Sequence, residues 1–394
     1  MVNLGCLLSA APPSAIVPPA MRSKLPKFFP LYTLPLGHAV WLLATCVACS
    51  DPEIAAAVAV TADAVQDSAV FDLQTFDVPV STDHAVDSAK EATTAQAPDA
   101  AACVPQCDGL LAQPKGKSKF PLVLVHGMGG FTNMGLLDYF FGIPKNLRDN
   151  GFSVFVTLTD PFNSSAVRAK QLAKQVDAIL ACTCAAKVNL VGHSQGGIDV
   201  RELVSALGYG DRVDSITTIS TPHRGSKVAD QLLGYLPGKD SGLLDSFAQI
   251  AGKMYTTPET DANVKAALEQ CSEKLSAAWN AAHPDDPRVA YYSWAGYSGL
   301  TANGKPACEG GDVPVPAHGD IVEPGLLASW LAVGGAQVPN DGLVTVESAK
   351  WGHFRGCVPA DHMDEVGQLA GIVDGFDYLK FYQDLAQYLV DKSL

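Results

Sequence analysis

The sequence predicts an α/β fold in which a mostly parallel central sheet is covered by helices on both faces. From Phe120 onwards, short runs that are apolar at every position alternate with longer segments of helical periodicity. Strands without polar alternation are typical of parallel sheets that are buried on both sides. The composition agrees, because 47% of the residues are hydrophobic and only 17% are charged, as expected of a chain that forms a globular core.

The predicted elements follow one another in a regular order. They are a strand at 122–125, a helix at 133–150, a strand at 153–158, a helix at 165–181, a strand at 188–191, a helix at 195–207, strands at 213–219 and 289–294, and a closing helix at 375–391. Pro144 lies inside the first helix and should interrupt it, because proline has no N–H and clashes with the preceding turn. Helices between successive strands are the connections that parallel pairing requires.

The first 49 residues resemble an export signal, and a true start at Met21 fits the pattern. A basic segment at 21–27 precedes an apolar run at 39–44, which is much shorter than the ~20 residues of a membrane-spanning helix. Cys46 and Cys49 both follow sequences that resemble a bacterial lipoprotein cleavage site. Two outcomes stay open: an outer-membrane or cell-surface lipoprotein anchored through a lipidated cysteine, or a secreted protein cleaved after Ala48 or nearby.

Residues 50–102 are predicted to form a disordered linker. Positions 51–102 contain fifteen alanines and ten acidic residues, and such a segment cannot bury enough apolar area to offset its chain entropy. One folded domain is therefore expected over 103–394. The formal net charge of −14 and the absence of a basic patch in the sequence argue against nucleic acid as a partner.

Seven cysteines follow Cys49, and in an oxidising compartment most of them should pair. They are Cys103, Cys107, Cys182, Cys184, Cys271, Cys308 and Cys357. An odd count leaves one thiol over. Cys103 and Cys107 are close enough in sequence to close a small loop. A zinc site is the alternative for the two close pairs, although no histidine lies at finger-like spacing from them.

A Gly-x-Ser-x-Gly motif at 192–196 lies between a predicted strand and a predicted helix. A serine hydroxyl becomes a useful nucleophile only when it stands clear of its own backbone and next to a base. A sharp strand-to-helix turn achieves this, and Gly192 and Gly196 remove the side chains that would clash around it. The motif in this place predicts Ser194 as the nucleophile of an α/β-hydrolase fold. A turn of small residues for close packing is the alternative, but it does not account for a serine at the apex.

This nucleophile needs a histidine base and a carboxylate that orients it. In an α/β-hydrolase fold the three residues follow in the order serine, acid, histidine. Asp341 lies in a predicted turn, and His362 follows about twenty residues later, so Ser194, Asp341 and His362 satisfy that order. His353 stays open as a competing base.

An oxyanion hole is the second requirement of such a site. The fold draws one backbone N–H from the residue after the nucleophile, here Gln195, and another from the loop after the first strand. That loop begins with His126 and is rich in glycine, and Met128 is its expected donor. His126 is either a residue that orders this loop or simply a packed turn histidine.

Five motifs in one order carry a resemblance to a known family. They occupy 120–130, 188–197, 216–226, 340–344 and 362–366. Together, across roughly 119–394, they resemble the secreted bacterial triacylglycerol lipases of the Pseudomonas and Burkholderia type. The resemblance implies an α/β-hydrolase fold with Ser194, Asp341 and His362 as the catalytic triad. It also implies Met128 and Gln195 as the oxyanion-hole donors, and no organic cofactor.

That family carries a structural calcium beside the loop of the catalytic histidine. Matched residue by residue, the resemblance implies Asp364 as one carboxylate ligand and the carbonyls of Gln368 and Ile372 as two more. The second carboxylate is expected about twenty residues before the triad acid, which points to Asp320, with Asp312 as an alternative. Carboxylates and carbonyls are ligands that calcium prefers. A helix cap is the other explanation for Asp364.

The resemblance also implies a mobile helical lid, expected here within about 227–282. Leu243, Leu244, Phe247 and Ile250 have helical spacing and could form an apolar lid that opens on a lipid surface; a helix that simply faces the core is the alternative. The cysteine pattern and the N-terminal additions depart from the family. These departures leave the preferred substrate and the need for a secretion chaperone open.

The leading hypothesis is hydrolysis of lipid esters with long acyl chains, through an acyl-enzyme at Ser194, at a lipid–water interface. A second hypothesis keeps the triad but assigns short-chain esters or polyesters as substrates. A third is a non-catalytic surface lipoprotein that binds lipid with a degenerate hydrolase domain, against which the complete set of triad positions argues.

Overall fold

The computed structural model describes residues 103–107, 110, 113, 115–130, 138–234, 263–301, 308–314, 317–368 and 370–394. The predicted export region, the predicted linker and the helix expected at 242–251 lie outside these residues. All the described residues belong to the unit Thr93–Leu394. No helix in this described part combines the length and apolarity needed to cross a bilayer.

Six parallel strands form the central sheet, in the spatial order β2-β1-β3-β4-β5-β8. The strands of the described part are β1 Leu122–Val125, β2 Val154–Thr157, β3 Val188–His193, β4 Val213–Ile219, β5 Ala290–Gly296, β6 Ser298–Gly299, β7 Asp320–Ile321 and β8 His353–Val358. The short strands β6 and β7 pair only with each other. The α/β fold class predicted from the sequence is confirmed.

The helices connect the strands and cover both faces of the sheet. In the described part they are α1 Ile143–Asp149, α2 Ser165–Thr183, α3 Gln195–Ser205, α4 Lys227–Leu232, α5 Val264–Gln270, α6 Glu273–Ala282, α7 Leu327–Val333, α8 Val346–Ala349 and α9 Tyr378–Asp391. Three of them, α4 to α6, occupy the described part of the region in which a lid was expected.

Strand β1 shows why its sequence is apolar at every position. Leu122 and Leu124 pack with α1 and α9 on one face of the sheet. Val123 and Val125 point to the other face and pack with α2 and α3. Because side chains alternate across a strand, a central strand with helices on both sides has no solvent-facing position.

The helix predicted at 133–150 is not continuous, because residues 138–142 are not helical; positions 133–137 lie outside the described residues. Pro144 was expected to interrupt a helix at 133–150, but α1 begins at Ile143 and Pro144 lies in its first turn. Proline is tolerated there because the first N–H groups of a helix have no intrahelical partner. Gly142 precedes the helix with φ 69°, a conformation that ends the preceding segment and sets the new direction.

The cysteine pairing differs from the small loop considered for Cys103 and Cys107. Disulfides join Cys103 to Cys184, Cys107 to Cys182, and Cys308 to Cys357. The 103–107 segment runs beside the C-terminal end of α2, where the Gln106 N–H donates to the Ala181 carbonyl at 3.1 Å. Each cysteine of the segment therefore meets a partner on the helix, and no thiolate of the four remains for zinc. Cys271 is the unpaired thiol that the odd count predicted, and it is buried.

Candidate active site

Ser194 lies at the apex of the turn between β3 and α3. Its backbone has φ 55° and ψ −130°, an unfavourable conformation for a residue with a side chain, of the kind that costs about 1–3 kcal/mol. A Cβ on Gly192 would lie 2.7 Å from the backbone of Gly196, and one on Gly196 would overlap the carbonyl oxygen of Val125. The two glycines therefore let α3 approach β1 and β3 closely enough to hold the turn.

Asp341 and His362 form a buried pair beside this turn. The Nδ1 of His362 lies 2.8 Å from Oδ2 of Asp341, and the His362 N–H donates to the Asp341 carbonyl at 2.8 Å. The other oxygen of Asp341 accepts the N–H groups of Leu343 and Val344. Ser194 and His362 line the same cavity of about 170 Å³. The structure thus brings together the three residues that the sequence order singled out.

His353 lies away from this cavity. It is the first residue of β8, whereas Ser194 follows the last residue of β3. Because the two strands are parallel, His353 lies at the amino-terminal ends of the strands and Ser194 at their carboxyl-terminal ends. The His353 ring is exposed, and its Nε2 lies 3.0 Å from Asp312. This position removes His353 as a competing base.

The loop after β1 is held by a buried arginine. Met128 lines the cavity. Arg168 forms an ion pair with Asp199 at 2.7 Å, both side chains being fully buried, and donates to the His126 carbonyl at 2.7 Å. Gln195 is the first residue of α3, so its N–H has no intrahelical acceptor. Because Asp199 belongs to α3 and His126 to the loop of Met128, Arg168 connects the two segments that carry the expected oxyanion donors.

His126 orders the same loop through both of its ring nitrogens. Its Nε2 accepts the Thr159 N–H at 3.0 Å, so the proton is on Nδ1, which donates to the Gly127 carbonyl at 2.8 Å. Burial, reinforced by the charge of Arg168, lowers the pKa of His126 to about 3. A neutral histidine with both nitrogens bonded to backbone is a structural residue of the loop.

Three further residues that the sequence did not single out connect the parts of the site. Tyr139 accepts the Gly127 N–H at 3.0 Å, and its hydroxyl lies 2.7 Å from Nδ1 of His193. Nε2 of His193 lies 3.0 Å from Glu365, and the His193 ring stands 4.6 Å from that of His362. Burial lowers the pKa of His193. Burial also raises the pKa of Glu365, and the nearby charge of Asp341 raises it further.

An acidic cluster lies next to the His362 loop. One carboxylate oxygen from each of four residues, Asp320, Glu323, Asp361 and Asp364, lies within 4.8 Å of the other three. Burial, together with their mutual repulsion, raises the pKa of Asp320 to about 7 and that of Asp364 to about 8. Four crowded acids in a buried place could hold a metal ion.

The individual oxygens of the cluster differ in their partners. Both oxygens of Asp361 accept backbone N–H groups, from Glu323, Met363 and Asp364. By contrast, Oδ1 of Asp364 and Oε2 of Glu323 are buried and make no hydrogen bond within the described part of the chain. Asp320 lies on β7, and its Oδ2 accepts the Asp361 N–H at 2.9 Å.

The other residues proposed around a metal are placed less uniformly. Asp312, the alternative second carboxylate, pairs with His353 and Arg355 instead of joining the cluster. Gln368 lies on the following loop, where its N–H donates to the Met363 carbonyl and its side chain borders the cavity. Ile372 follows on the same loop with an exposed side chain. Asp320 therefore takes the position beside Asp364 that the sequence left open.

Comparisons with known proteins agree with this architecture. The α/β hydrolase fold model matches residues 121–288. A triacylglycerol lipase of Vibrio cholerae is 32% identical over 300 residues, covering 71% of this chain and 90% of that protein. A triacylglycerol lipase of Burkholderia plantarii is 31% identical over 297 residues, covering 65% and 81%. The crystal structure of Staphylococcus hyicus lipase has a TM-score of 0.51 at 19% identity and covers 71% and 98%, which shows a shared fold.

The packing at the turn makes a prediction about stability. Gly196→Ala should lower the free energy of unfolding by about 1–3 kcal/mol or prevent folding, because the new methyl group would meet backbone atoms that cannot rotate away. Gly325→Ala is the matched control, since a Cβ there would have no neighbour within 4 Å. Urea denaturation of both variants measures the difference. Equal stability of the two would show that α3 does not depend on this close approach.

Proposed function

Because the chain belongs to the triacylglycerol lipase family of α/β hydrolases, we propose that it hydrolyses the carboxylic ester bonds of lipids through an acyl-enzyme formed at Ser194. The observation that carries the proposal is that His362, whose Nδ1 lies 2.8 Å from Asp341, lines the same cavity as Ser194. A nucleophile, a base and an orienting acid are the groups that acyl transfer requires.

In the proposed reaction, Nε2 of His362 takes the proton of the Ser194 hydroxyl as its oxygen attacks the carbonyl carbon. The N–H groups of Met128 and Gln195 bind the oxygen that becomes negative. His362 then gives the proton to the departing alcohol, which leaves an acyl ester on Ser194. Water attacks this ester in the same way, and the carboxylic acid departs. Asp341 holds the tautomer of His362 with the free nitrogen towards the serine.

The walls of the cavity support a lipid substrate. Most of its lining is apolar, and the side chains that form this lining are Met128, Phe162, Val228, Ala229, Leu232, Leu268, Leu326, Leu343 and Val344. An apolar wall beside the nucleophile stabilises an acyl chain by removing it from water.

Hydrolysis rates of p-nitrophenyl esters with increasing acyl-chain length test the preference for long chains. The rates should rise beyond p-nitrophenyl butyrate. A fall beyond the acetate would favour the short-chain hypothesis instead.

We also propose that the acidic cluster binds calcium, with Asp320 and Asp364 as carboxylate ligands and the carbonyls of Gln368 and Ile372 beside them. The buried Oδ1 of Asp364, which has no hydrogen-bond partner in the described residues, supports a cation at this place. Glu323 adds a ligand that the sequence did not suggest. When bound, the ion would supply the positive charge that these crowded carboxylates need, and it would brace the loop that carries His362.

Export is proposed from the disulfides. Three cross-links in the described part of the chain are typical of proteins that work in an oxidising compartment. Anchoring through Cys46 or Cys49, and dependence on a secretion chaperone, stay predictions of the sequence.

Substitution of the triad residues tests their assignment. Ser194→Ala and His362→Gln should each lower turnover of a p-nitrophenyl ester by about 10⁴-fold or more, because the covalent step loses its nucleophile or base. Circular dichroism should stay unchanged. His353→Gln is the control and should retain full turnover. Activity that depends on His353 and survives the loss of His362 would contradict the assignment.

Removal of the Tyr139 hydroxyl tests its positioning role. Tyr139→Phe should lower kcat by about 10- to 100-fold with KM nearly unchanged, because the Gly127 N–H loses its acceptor and the loop of Met128 shifts by a fraction of an ångström. Tyr209→Phe, which removes a hydroxyl bonded to Asp177 at the surface, is the matched control. An equal effect of the two changes on kcat would reject a positioning role for Tyr139.

Chelation tests the proposed calcium site. EDTA should lower the Tm by about 5 °C or more, because an ion that binds only the folded state stabilises it by mass action. Calcium, added in excess, should restore the Tm, and magnesium should not. In Asp364→Asn the chelator should have no further effect. A Tm that is indifferent to EDTA in the unchanged protein would remove calcium from the proposal.

A further inference from the structure

Helix α7 exposes two leucines beside the cavity that contains Ser194. Leu327 is 38% exposed and Leu331 is 59% exposed, and a spacing of four places them on one side of the helix. The opposite side is buried through Trp330 and Val333. Leu326, directly before the helix, lines the cavity. The same short segment therefore contributes to the cavity wall and presents apolar side chains to solvent.

Two more exposed apolar residues lie at the β6–β7 pair, to which α7 is bonded. Nε1 of Trp330 donates to the Ser298 carbonyl in β6 at 3.2 Å, which holds the helix against these strands. Leu300 directly follows β6, and Ile321 belongs to β7; both are more than half exposed. We call the surface formed by Leu300, Ile321, Leu327 and Leu331 the α7 face. Single exposed leucines are ordinary, whereas three leucines and an isoleucine on neighbouring elements need an explanation.

The charge of the surrounding sequence identifies the kind of partner. Residues 324–340 contain no Asp, Glu, Lys, Arg or His, so this stretch offers no ion pair to a protein surface and no cation to an anionic lipid. The formal net charge of −14 adds repulsion from anionic membranes. The uncharged segment of α7, with its exposed leucines next to an apolar cavity, is complementary to the surface of a neutral lipid.

We propose that the α7 face docks this enzyme on the surface of neutral lipid. The inference rests on the proposed function, because it places the ester source next to Ser194. Leu327 and Leu331 enter the lipid, while Leu326 continues the apolar path into the cavity. An acyl chain then passes from the lipid to the cavity without crossing water.

The test separates docking from catalysis. The full chain is prepared as Ser194→Ala, with and without the double change Leu327→Gln and Leu331→Gln; glutamine keeps the helix propensity of these positions high. Flotation with triolein droplets coated with phosphatidylcholine measures binding. The double change should weaken it about tenfold or more, since each leucine loses a large part of its transfer free energy. Leu275→Gln on α6 is the control, because Leu275 is 37% exposed.

Activity measurements complete the design. In the active chain, the double change should lower hydrolysis of emulsified triolein by a similar factor and leave hydrolysis of soluble p-nitrophenyl butyrate within about twofold. Unchanged flotation, equal weakening by Leu275→Gln, or stronger binding to phosphatidylglycerol vesicles would overturn the α7 face as a neutral-lipid surface. A dimer in gel filtration that the double change dissociates would overturn it too, by assigning the surface to a second copy. If the unchanged protein did not hydrolyse soluble p-nitrophenyl butyrate at all, that result would instead reject the proposed function.

Discussion

The approach of α3 to the sheet is the constraint on which the site depends. At Gly192 and Gly196 backbone atoms come so near to other backbone atoms that no side chain fits between them. This closeness holds Ser194 at a positive φ, with its N–H bonded to the Ile219 carbonyl and its carbonyl bonded to the Thr221 hydroxyl. A strained residue persists only when its surroundings fix it from several sides. Everything that the other site residues do presupposes that this hydroxyl stands where they can reach it.

Polar groups behind the turn bring the remaining segments into register. Tyr139, His193 and Glu365 are buried and bonded in a row, which connects the loop after β1, the serine turn and the His362 loop. Ser220 extends the row, because its hydroxyl donates to Glu365 and accepts the Gly296 N–H at the end of β5. Buried networks of this kind specify one arrangement, since a group that moves leaves an unsatisfied partner in a place without water. Four loops that are distant in sequence are thereby held to one geometry.

The sequence predicted those features that depend on local pattern. Strands β1 and β4 begin and end at the predicted residues; β1 is apolar throughout, whereas β4 combines apolar positions with buried serine and threonine. Strand β8 was not predicted: it lies at the edge of the sheet, and its polar His353 and Arg355 break the apolar run. The order of Ser194, Asp341 and His362 was readable because a known fold fixes it. The row through His193 was not, because its members are separated by 54 and 172 residues. Glu323 was missed although it follows Asp320 by only three residues, and the fold brings both of them to Asp364.

The two disulfides at the start of the described chain have a mechanical consequence. Cys103 and Cys107 are each bonded to the last turn of α2 or the residue after it, and a short connection, residues 184–187, leads from α2 to the first residue of β3. They are therefore at the amino-terminal edge of the sheet, opposite the edge at which Ser194 lies. A pull on the polypeptide ahead of Cys103 would be transmitted through two covalent links into the rigid end of a long helix. The force would bypass the loops around the nucleophile, so tension on the chain would leave the geometry of the cavity undisturbed.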